Sequence, residues 1–140
     1  MYRAVLDTSI LVAALRSRAG ASNAVLRAVA LGRVTPLISP ALFLEYEDVL
    51  KRPEHQAVHG LDHDGVDRFL AALASAAQPV DCHFRWRPQL RDPGNEMVLE
   101  VAVNGNAQAL VTHNVRDFVV AKMFQLRVIR PAQLLVDLGR

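Results

Sequence analysis

The segment Tyr2-Arg-Ala-Val-Leu-Asp7 decides the fold, because it predicts a short buried strand that ends at an acidic residue. Thr8 or Ser9 then stands where it can cap a helix predicted from Ile10 to Leu15. A strand that leads directly into a helix begins a β-α-β unit, and such units build parallel sheets. We therefore expect an α/β chain in which further strands alternate with helices.

The same alternation continues along the rest of the chain. Further strands are predicted at 35–38, 79–81, 109–112 and 127–129. Further helices are predicted at 21–31, 40–50, 62–77, 92–103 and 131–138, with Pro53 closing the one that Ser39 and Pro40 begin. A basic and aromatic loop is expected at 83–90 and a polar turn at 113–117. The strands are nearly continuous apolar runs, which is typical of a parallel sheet covered on both faces.

The composition is that of an ordinary globular domain. The chain has 140 residues, of which 51% are hydrophobic and 21% charged, so we expect one domain rather than a disordered chain. Its single cysteine excludes a disulfide framework and a cysteine-based zinc cluster, and it favours a cytoplasmic location. The apolar run Ile10–Leu15 is too short to span a membrane, and Asp7 interrupts the pattern of a signal peptide. The net charge of +2 permits an anionic partner without requiring one.

Polar side chains follow two of the predicted strands. Asp7 ends the first strand, and the stretch from Thr112 to Asp117 follows the fourth. Ligands of open α/β sheets bind beyond the carboxyl ends of the strands, so these side chains mark the expected site. A desolvated carboxylate such as that of Asp7 needs backbone N–H groups or a metal ion as its partner.

Two predicted helices add acidic or amide side chains. On the helix at 40–50, Glu45 and Glu47 lie at opposite rims of the apolar stripe, and periodicity does not choose between them. On the helix at 92–103, Asn95 lies within the stripe, and Glu96 lies about a quarter-turn away. Converging carboxylates suit Mg²⁺ or Mn²⁺, and either ion can activate a water for phosphodiester hydrolysis.

Arginines are numerous around the predicted acidic site, and a polyanion would bind to them. The stretch Phe84-Arg-Trp-Arg87 interleaves cations with aromatic rings in a way that can stack single-stranded bases. His55 and His59 flank a predicted helix-to-loop transition and are interpreted as solvated. The arginines predicted to contact nucleic acid are Arg16, Arg52, Arg85, Arg87, Arg91 and Arg116.

Four stretches together resemble the PIN-domain family, in particular its VapC-like branch of toxins from type II toxin–antitoxin pairs. They occur in the family's order and spacing, and the resemblance covers nearly the whole chain. The matching stretches are Val5–Leu11, Ser39–Pro53, Arg91–Glu100 and Val111–Phe118. The resemblance implies a Rossmann-like three-layer α/β/α sandwich with a central parallel sheet, formed by residues 1–140 as a single PIN domain. It also implies a Mg²⁺- or Mn²⁺-dependent endoribonuclease that is restrained by a cognate antitoxin and can form a homodimer.

The resemblance also implies which residues form the site. The family's first acid corresponds to Asp7, its helix glutamate to Glu45 rather than Glu47, and its third acid to the helix start Asp92–Glu96. Asn95 stands there where the family most often has aspartate. The residues expected to bind metal and carry catalysis are Asp7, Glu45, Asp92, Glu96 and Asp117. The residues expected to support these acids or position substrate are Thr8, Ser9, Asn95, Thr112 and Asn114.

Two other interpretations remain open from the sequence. Asn95 favours a PIN-fold module that binds RNA or a protein without cleaving it, because an amide oxygen brings no charge to a metal. A receiver-like phosphoacceptor also gathers acids at strand ends, although Lys51 and Lys122 are not well placed for that role. Individual acids have structural alternatives too, since Asp7 and Asp92 each precede a predicted helix and could cap it.

Overall fold

A computed structural model describes residues 1–82 and 92–139, without the side chains of residues 120, 122 and 123. The predicted loop at 83–90, with Arg85 and Arg87, lies outside the described residues, and so does Arg91.

Five parallel strands form one sheet in the order β3-β2-β1-β4-β5 in the described part of the chain. The strands are β1 (Tyr2–Leu6), β2 (Val34–Ile38), β3 (Gln78–Pro79), β4 (Ala109–Val111) and β5 (Val128–Ile129). The helices are α1 (Thr8–Arg16), α2 (Ala21–Ala30), α3 (Pro40–Leu50), α4 (Pro53–His59), α5 (His63–Ala76), α6 (Pro93–Asn104) and α7 (Pro131–Leu138). A 3-10 helix spans Val115–Phe124. None of the described helices is long and apolar enough to cross a membrane.

The central strands are buried on both faces. In β1, the consecutive residues Ala4, Val5 and Leu6 are all 0% exposed. Successive side chains of a strand point to opposite faces, so this run requires cover on both sides of the sheet. Helix α2 packs against α1 and α7, whereas α6 packs against α3 and the 3-10 helix. The predicted α/β fold with a central parallel sheet is therefore confirmed.

The strand order creates a crevice at the carboxyl ends of β1 and β4. Strands β2 and β3 extend the sheet on one side of β1, whereas β4 and β5 extend it on the other side. The strand order therefore reverses between β1 and β4. Open α/β sheets bind ligands at such a switch point. Asp7 follows β1 directly and Thr112 follows β4 directly, which places both at the crevice. A receiver-like fold has the strand order 2-1-3-4-5, so the sheet excludes that interpretation.

Helix starts are the best predicted local features. Ser39 caps α3 by accepting a hydrogen bond from the Leu42 N–H at 3.1 Å, and Pro40 occupies the first turn. Both choices fit the ends of helices, where N–H groups lack partners within the helix. Asp92 caps α6 in the same way, accepting from the Gly94 N–H at 2.7 Å. These two caps orient the helices that carry Glu45 and Asn95.

Three local predictions differ from the structure. Helix α3 ends at Leu50 as predicted, but Pro53 also begins α4, because proline is tolerated at a first helical position, where no intrahelical N–H bond is required. His59, interpreted as solvated, instead closes α4: its Nδ1 accepts from the Leu61 N–H at 2.9 Å, which leaves Nε2 to donate to the Leu50 carbonyl at 3.0 Å. Helix α1 begins at Thr8, so neither Thr8 nor Ser9 caps it.

Two smaller differences lie beside the crevice and at the sheet edge. The polar turn predicted at 113–117 leads into the 3-10 helix Val115–Phe124, which is kinked at Phe118. Strand β3 pairs at Gln78–Pro79, one residue earlier than predicted, and the Val80 N–H still donates to the Ile38 carbonyl at 3.0 Å. The strand is short because proline withholds an N–H from the ladder.

Candidate functional site

A cleft of about 580 Å³ opens at the carboxyl ends of β1 and β4. Four of the five predicted acids line it, and each comes from a different part of the fold. Asp7 follows β1, Glu45 lies on α3, Asp92 caps α6, and Asp117 lies in the 3-10 helix. Residues far apart in sequence thus meet at the switch point of the sheet.

Asp7 is the most buried of these acids, with only 5% of its surface exposed. Although it occupies the N-cap position of α1, its side chain makes no capping hydrogen bond. Its Oδ2 instead accepts from Thr112 Oγ1 at 2.6 Å and from Ser9 Oγ at 2.8 Å. Burial raises the pKa of the Asp7 carboxyl, these two hydrogen bonds lower it, and nearby Asp117 raises it, with a net upward shift.

The two hydroxyls also connect Asp7 to the turn after β4. Thr112 Oγ1 accepts from the Asn114 N–H at 2.9 Å, and Ser9 Oγ accepts from the His113 N–H at 3.3 Å. Each hydroxyl uses its one proton to donate a hydrogen bond to Asp7. Its lone pairs therefore remain free to accept a hydrogen bond from a backbone N–H. The position of the turn and the orientation of the Asp7 carboxyl are thereby coupled.

Tyr46 links the strand that carries Asp7 to the helix that carries Glu45. Its side chain is 1% exposed, and its hydroxyl donates to the Leu6 carbonyl at 2.5 Å. Burial raises the pKa of the Tyr46 phenol, so the hydroxyl keeps its proton at neutral pH. Tyr46 directly follows Glu45 and Leu6 directly precedes Asp7, so this one hydrogen bond helps set the separation of the two acids.

Tyr46→Phe should lower the free energy of unfolding by about 1–2 kcal/mol, because a buried carbonyl loses its donor while packing is retained. Tyr2→Phe is the matched control, since the Tyr2 hydroxyl contacts Asp137 at 3.5 Å and Arg127 at 3.3 Å, away from the cleft. We expect a change below about 0.5 kcal/mol for that control. Urea denaturation of both variants measures the difference, and equal losses would contradict the role given to Tyr46.

Glu45 is half-buried at the cleft, whereas Glu47 points to another surface. Desolvation raises the pKa of the Glu45 carboxyl, and the charges of Asp48, Asp92 and Asp7 raise it further, against the lowering effect of Arg52. Glu47 pairs instead with Lys51 at 3.3 Å. The structure thus places at the cleft the glutamate that the resemblance implies.

The first turn of α6 brings Asp92 and Glu45 together around Gly94. Asp92 Oδ1 caps α6, and the same residue also lines the cleft. Asp92 can therefore be both a helix cap and a member of the site. A Cβ on Gly94 would lie 2.7 Å from Glu45 Oε1 and 3.1 Å from Asp92 Oδ1. The 2.7 Å contact is closer than real Cβ atoms approach, so a side chain at position 94 would displace the Glu45 carboxylate from its present place. Gly94 was not predicted to be a residue of the site. The available signal was its presence in the first turn of a helix, because glycine has a low helix propensity.

Some predicted site residues do not line the cleft. Glu96 is 2% exposed and is not among the lining residues, because the helix turns about 100° between Asn95, which faces the cleft, and the next position. Thr112 lies fully buried behind Asp7 and acts through its hydrogen bond. Arg116 is exposed, but it lines a separate cavity. The cleft does contain Thr8, Ser9, Asn95 and Asn114.

Two arginines and two histidines of the described residues also line the cleft. Arg16 and Arg52, which are predicted to contact nucleic acid, both lie there, and Arg52 also pairs with Asp48 at 2.8 Å. His55 and His113 line it without having been predicted. His55 was missed because α4 was missed. The Pro53 that starts α4 was the available signal.

The donor set of the cleft fits a hard divalent cation. Carboxylate and amide oxygens provide it, and among the described residues four carboxylates and two arginines line the cleft. Within the described residues, no three His, Cys, Asp or Glu side chains are grouped closely enough to form a metal site by themselves. Mg²⁺ commonly binds through one or two carboxylates together with waters and substrate phosphates, so a looser set is compatible with it.

Comparison with known proteins agrees with the fold. A sequence profile described as PIN domain matches residues 3–116. PIN domains are generally nucleases and are typically dependent on divalent metals. No curated protein matches the chain. With most of its length matched by the profile, and with a five-stranded parallel sheet of the expected kind, the chain belongs to the PIN domain family.

Proposed function

We propose that this protein is a Mg²⁺- or Mn²⁺-dependent endoribonuclease whose active site is the cleft between β1 and β4. The observation that carries the proposal is the meeting of Asp7, Glu45, Asp92 and Asp117 in one cleft. Burial is the largest cause of the raised pKa values of Asp7 and Glu45, and the charges of Asp117 and Asp92, respectively, raise them further. Such repulsion is unfavourable for the protein alone and would be relieved by a bound cation.

Each polar group in the cleft has a role that follows from its environment. Asp7 and Glu45 would hold the cation, with Asp92 and Asp117 beside them and with amide oxygens from Asn95 and Asn114. A bound divalent ion would lower the pKa of the attacking water and offset charge on the scissile phosphate. Ser9 and Thr112 keep the Asp7 carboxyl oriented.

The remaining groups of the cleft suit proton transfer and phosphate binding. A carboxylate of the cleft that does not hold the cation would accept the proton of the attacking water. Arg16 and Arg52 supply positive charge for flanking phosphates. These groups leave no need for a covalent nucleophile.

Cleavage of labelled single-stranded RNA, with Mn²⁺, Mg²⁺ or EDTA, tests the proposal directly. Glu45→Gln and Glu47→Gln form a matched pair on one helix, because only Glu45 lines the cleft. We expect metal-dependent cleavage that Glu45→Gln reduces strongly and Glu47→Gln leaves intact. Absence of cleavage by the wild type with either metal, or equal behaviour of the two variants, would overturn the proposal.

Asn95→Asp should bind Mn²⁺ roughly tenfold more tightly than the wild type, because a fifth carboxylate adds charge at the cleft. Isothermal titration calorimetry of Mn²⁺ measures the change, and Asn104→Asp at the far end of α6 is the control for added charge on the same helix. An unchanged or weaker Mn²⁺ affinity in Asn95→Asp would place this side chain outside the metal site.

Asn95 and Asn114 also favour the second candidate function, a PIN-fold module that binds RNA without cleaving it. This candidate predicts that the wild type binds RNA but leaves it intact, and that Asn95→Asp gains cleavage. The endoribonuclease proposal predicts cleavage by the wild type itself.

We also propose, from the resemblance to the VapC-like branch, that the endoribonuclease acts as the toxin of a toxin–antitoxin pair, with an antitoxin protein as partner. Induced expression should then arrest growth of a bacterial host, and Asp7→Asn should remove the arrest while accumulating to the same level. Equal growth of cells expressing either protein would contradict the toxin role. The cytoplasmic location and the homodimer stay predictions.

A further inference from the structure

A second cavity, of about 220 Å³, is lined partly by the 3-10 helix. The 3-10 helix and the segment that enters β5 form its walls. Its lining residues are Val115, Arg116, Phe118, Val119, Leu126 and Val128. We call it the side pocket.

One short segment of the chain lines both cavities. Asn114 and Asp117 line the cleft, and an Asp117 N–H to Asn114 carbonyl hydrogen bond of 2.9 Å joins them. Arg116, Phe118 and Val119 line the side pocket, and the 3-10 helix is kinked at Phe118. The residues that line the two cavities are therefore interspersed within positions 114–119.

The side pocket combines apolar walls with one available cation. Val119 is 60% exposed and lines the pocket. Arg116 is exposed at the pocket, and no carboxylate of the described residues pairs with it. An apolar slot beside a guanidinium suits a planar base whose backbone phosphate carries negative charge. An apolar protein side chain would use the slot but not the cation.

We propose that the side pocket is a base-binding subsite for the RNA strand whose scissile phosphate lies in the cleft. This inference rests on the proposed endoribonuclease function. One base would enter between Val119 and the β5 segment, while Arg116 contacts an adjacent phosphate. A base held in the side pocket while the scissile phosphate lies in the cleft would fix the register of the strand, so the pocket would contribute to the choice of cleavage position.

RNA binding in EDTA, where metal-dependent cleavage is prevented, tests the subsite by fluorescence anisotropy. Single-stranded oligoribonucleotides carry one abasic position each, moved stepwise along the strand. Val119→Asp places a negative charge in the pocket, and Val136→Asp is the matched control on α7, at a valine that is 49% exposed. Arg116→Ala removes the cation. Thermal unfolding of each variant verifies that it is folded.

We expect Val119→Asp to weaken binding of the intact strand about tenfold, and Val136→Asp to leave it nearly unchanged. At one abasic position, the RNA affinity of the wild type should fall by a similar factor. The affinity of Val119→Asp should not fall further at that position, because in this variant the base has already lost its place in the pocket. Arg116→Ala should weaken binding and reduce its salt dependence by about one phosphate contact.

Three outcomes would overturn the inference. Equal weakening by the two valine variants would assign the effect to general electrostatics. An abasic profile in Val119→Asp that matches the wild type would show that no base occupies the pocket. A change in oligomeric state with unchanged RNA affinity would assign the pocket to a second protein chain. If the wild type still cleaves RNA in any of these cases, the proposed function stands and only the subsite fails.

Discussion

Asp7→Asn should lose metal-dependent RNA cleavage by at least about a hundredfold and yet unfold at a higher temperature than the wild type at pH 7. Asparagine keeps the shape of the side chain and an oxygen that can accept from Ser9 and Thr112. It removes the negative charge that would hold the cation. The same charge is costly in the metal-free protein, because the residue is 5% exposed and lies near Asp117.

The gain in stability should depend on pH in a defined direction. The pKa of Asp7 is raised in the folded state from its ordinary value of 3.8. The stability linked to protonated Asp7 is therefore fully present below that ordinary value and is lost as pH rises through the raised value. Above this window the wild type carries the full penalty, and Asp7→Asn does not. The difference between their unfolding temperatures should widen from about pH 3 to about pH 7.

Asp137→Asn is a control with the opposite expected sign. The hydrogen bonds from Arg127 and Gln133 lower the pKa of Asp137, so its charged form stabilises the fold above the ordinary pKa. We expect this variant to unfold at a lower temperature at pH 7 and to cleave RNA normally, because Asp137 lies on α7, away from the cleft. Loss of cleavage without a gain in stability in Asp7→Asn would contradict the account of Asp7.

Gly94→Ala should also lower cleavage, by up to about a hundredfold, without unfolding the protein. The added methyl group would meet Glu45 Oε1 at 2.7 Å, so the Glu45 carboxylate must move away from Asp92. A misplacement of about 1 Å in a catalytic group costs about a hundredfold, so a hundredfold loss is the upper end of what a shift of several tenths of an ångström would cause. On helix propensity alone, alanine in α6 would be favourable. A folded, poorly active variant is therefore the expected result, measured by circular dichroism and RNA cleavage.

Two further variants determine whether the effect passes through Glu45. In Gly139→Ala the new Cβ would lie 3.5 Å from the nearest atom, the Val136 carbonyl oxygen, and we expect unchanged cleavage. In a Glu45→Asp background the carboxylate is withdrawn by one methylene, so Gly94→Ala should cost much less than it does in the wild type. Equal costs in the two backgrounds would show that Gly94 does not act by positioning Glu45.

Much of the fold could be predicted because its signals are local. The run from Tyr2 to Asp7, the Ser39 cap and the Asp92 cap each depend on a few neighbouring residues. Helix α4 was missed because proline was taken as a helix end, although Pro53 occupies a first helical position. The 3-10 helix was missed because its apolar and polar residues show no α-helical period.

The site could be predicted only in part. Strand ends of a parallel sheet share one edge, so Asp7 and the turn after β4 were expected to meet from the sequence pattern alone. The resemblance implied Glu45, but helical periodicity could not separate it from Glu47. Whether an acid on α6 reaches the cleft depends on the rotation of that helix about its axis. In the structure Asn95 lines the cleft and Glu96 does not.

The sequence by itself determined the α/β class and the strand ends at which the acids lie, because burial patterns and helix caps are encoded within short stretches. The tertiary structure decided which side chains share a cavity, because that depends on strand order and helix rotation. Tyr46 reaches Leu6, Gly94 makes room for Glu45, and His55 joins the cleft only once α3, α4 and α6 are packed. The side pocket likewise exists only because the 3-10 helix packs against the segment entering β5.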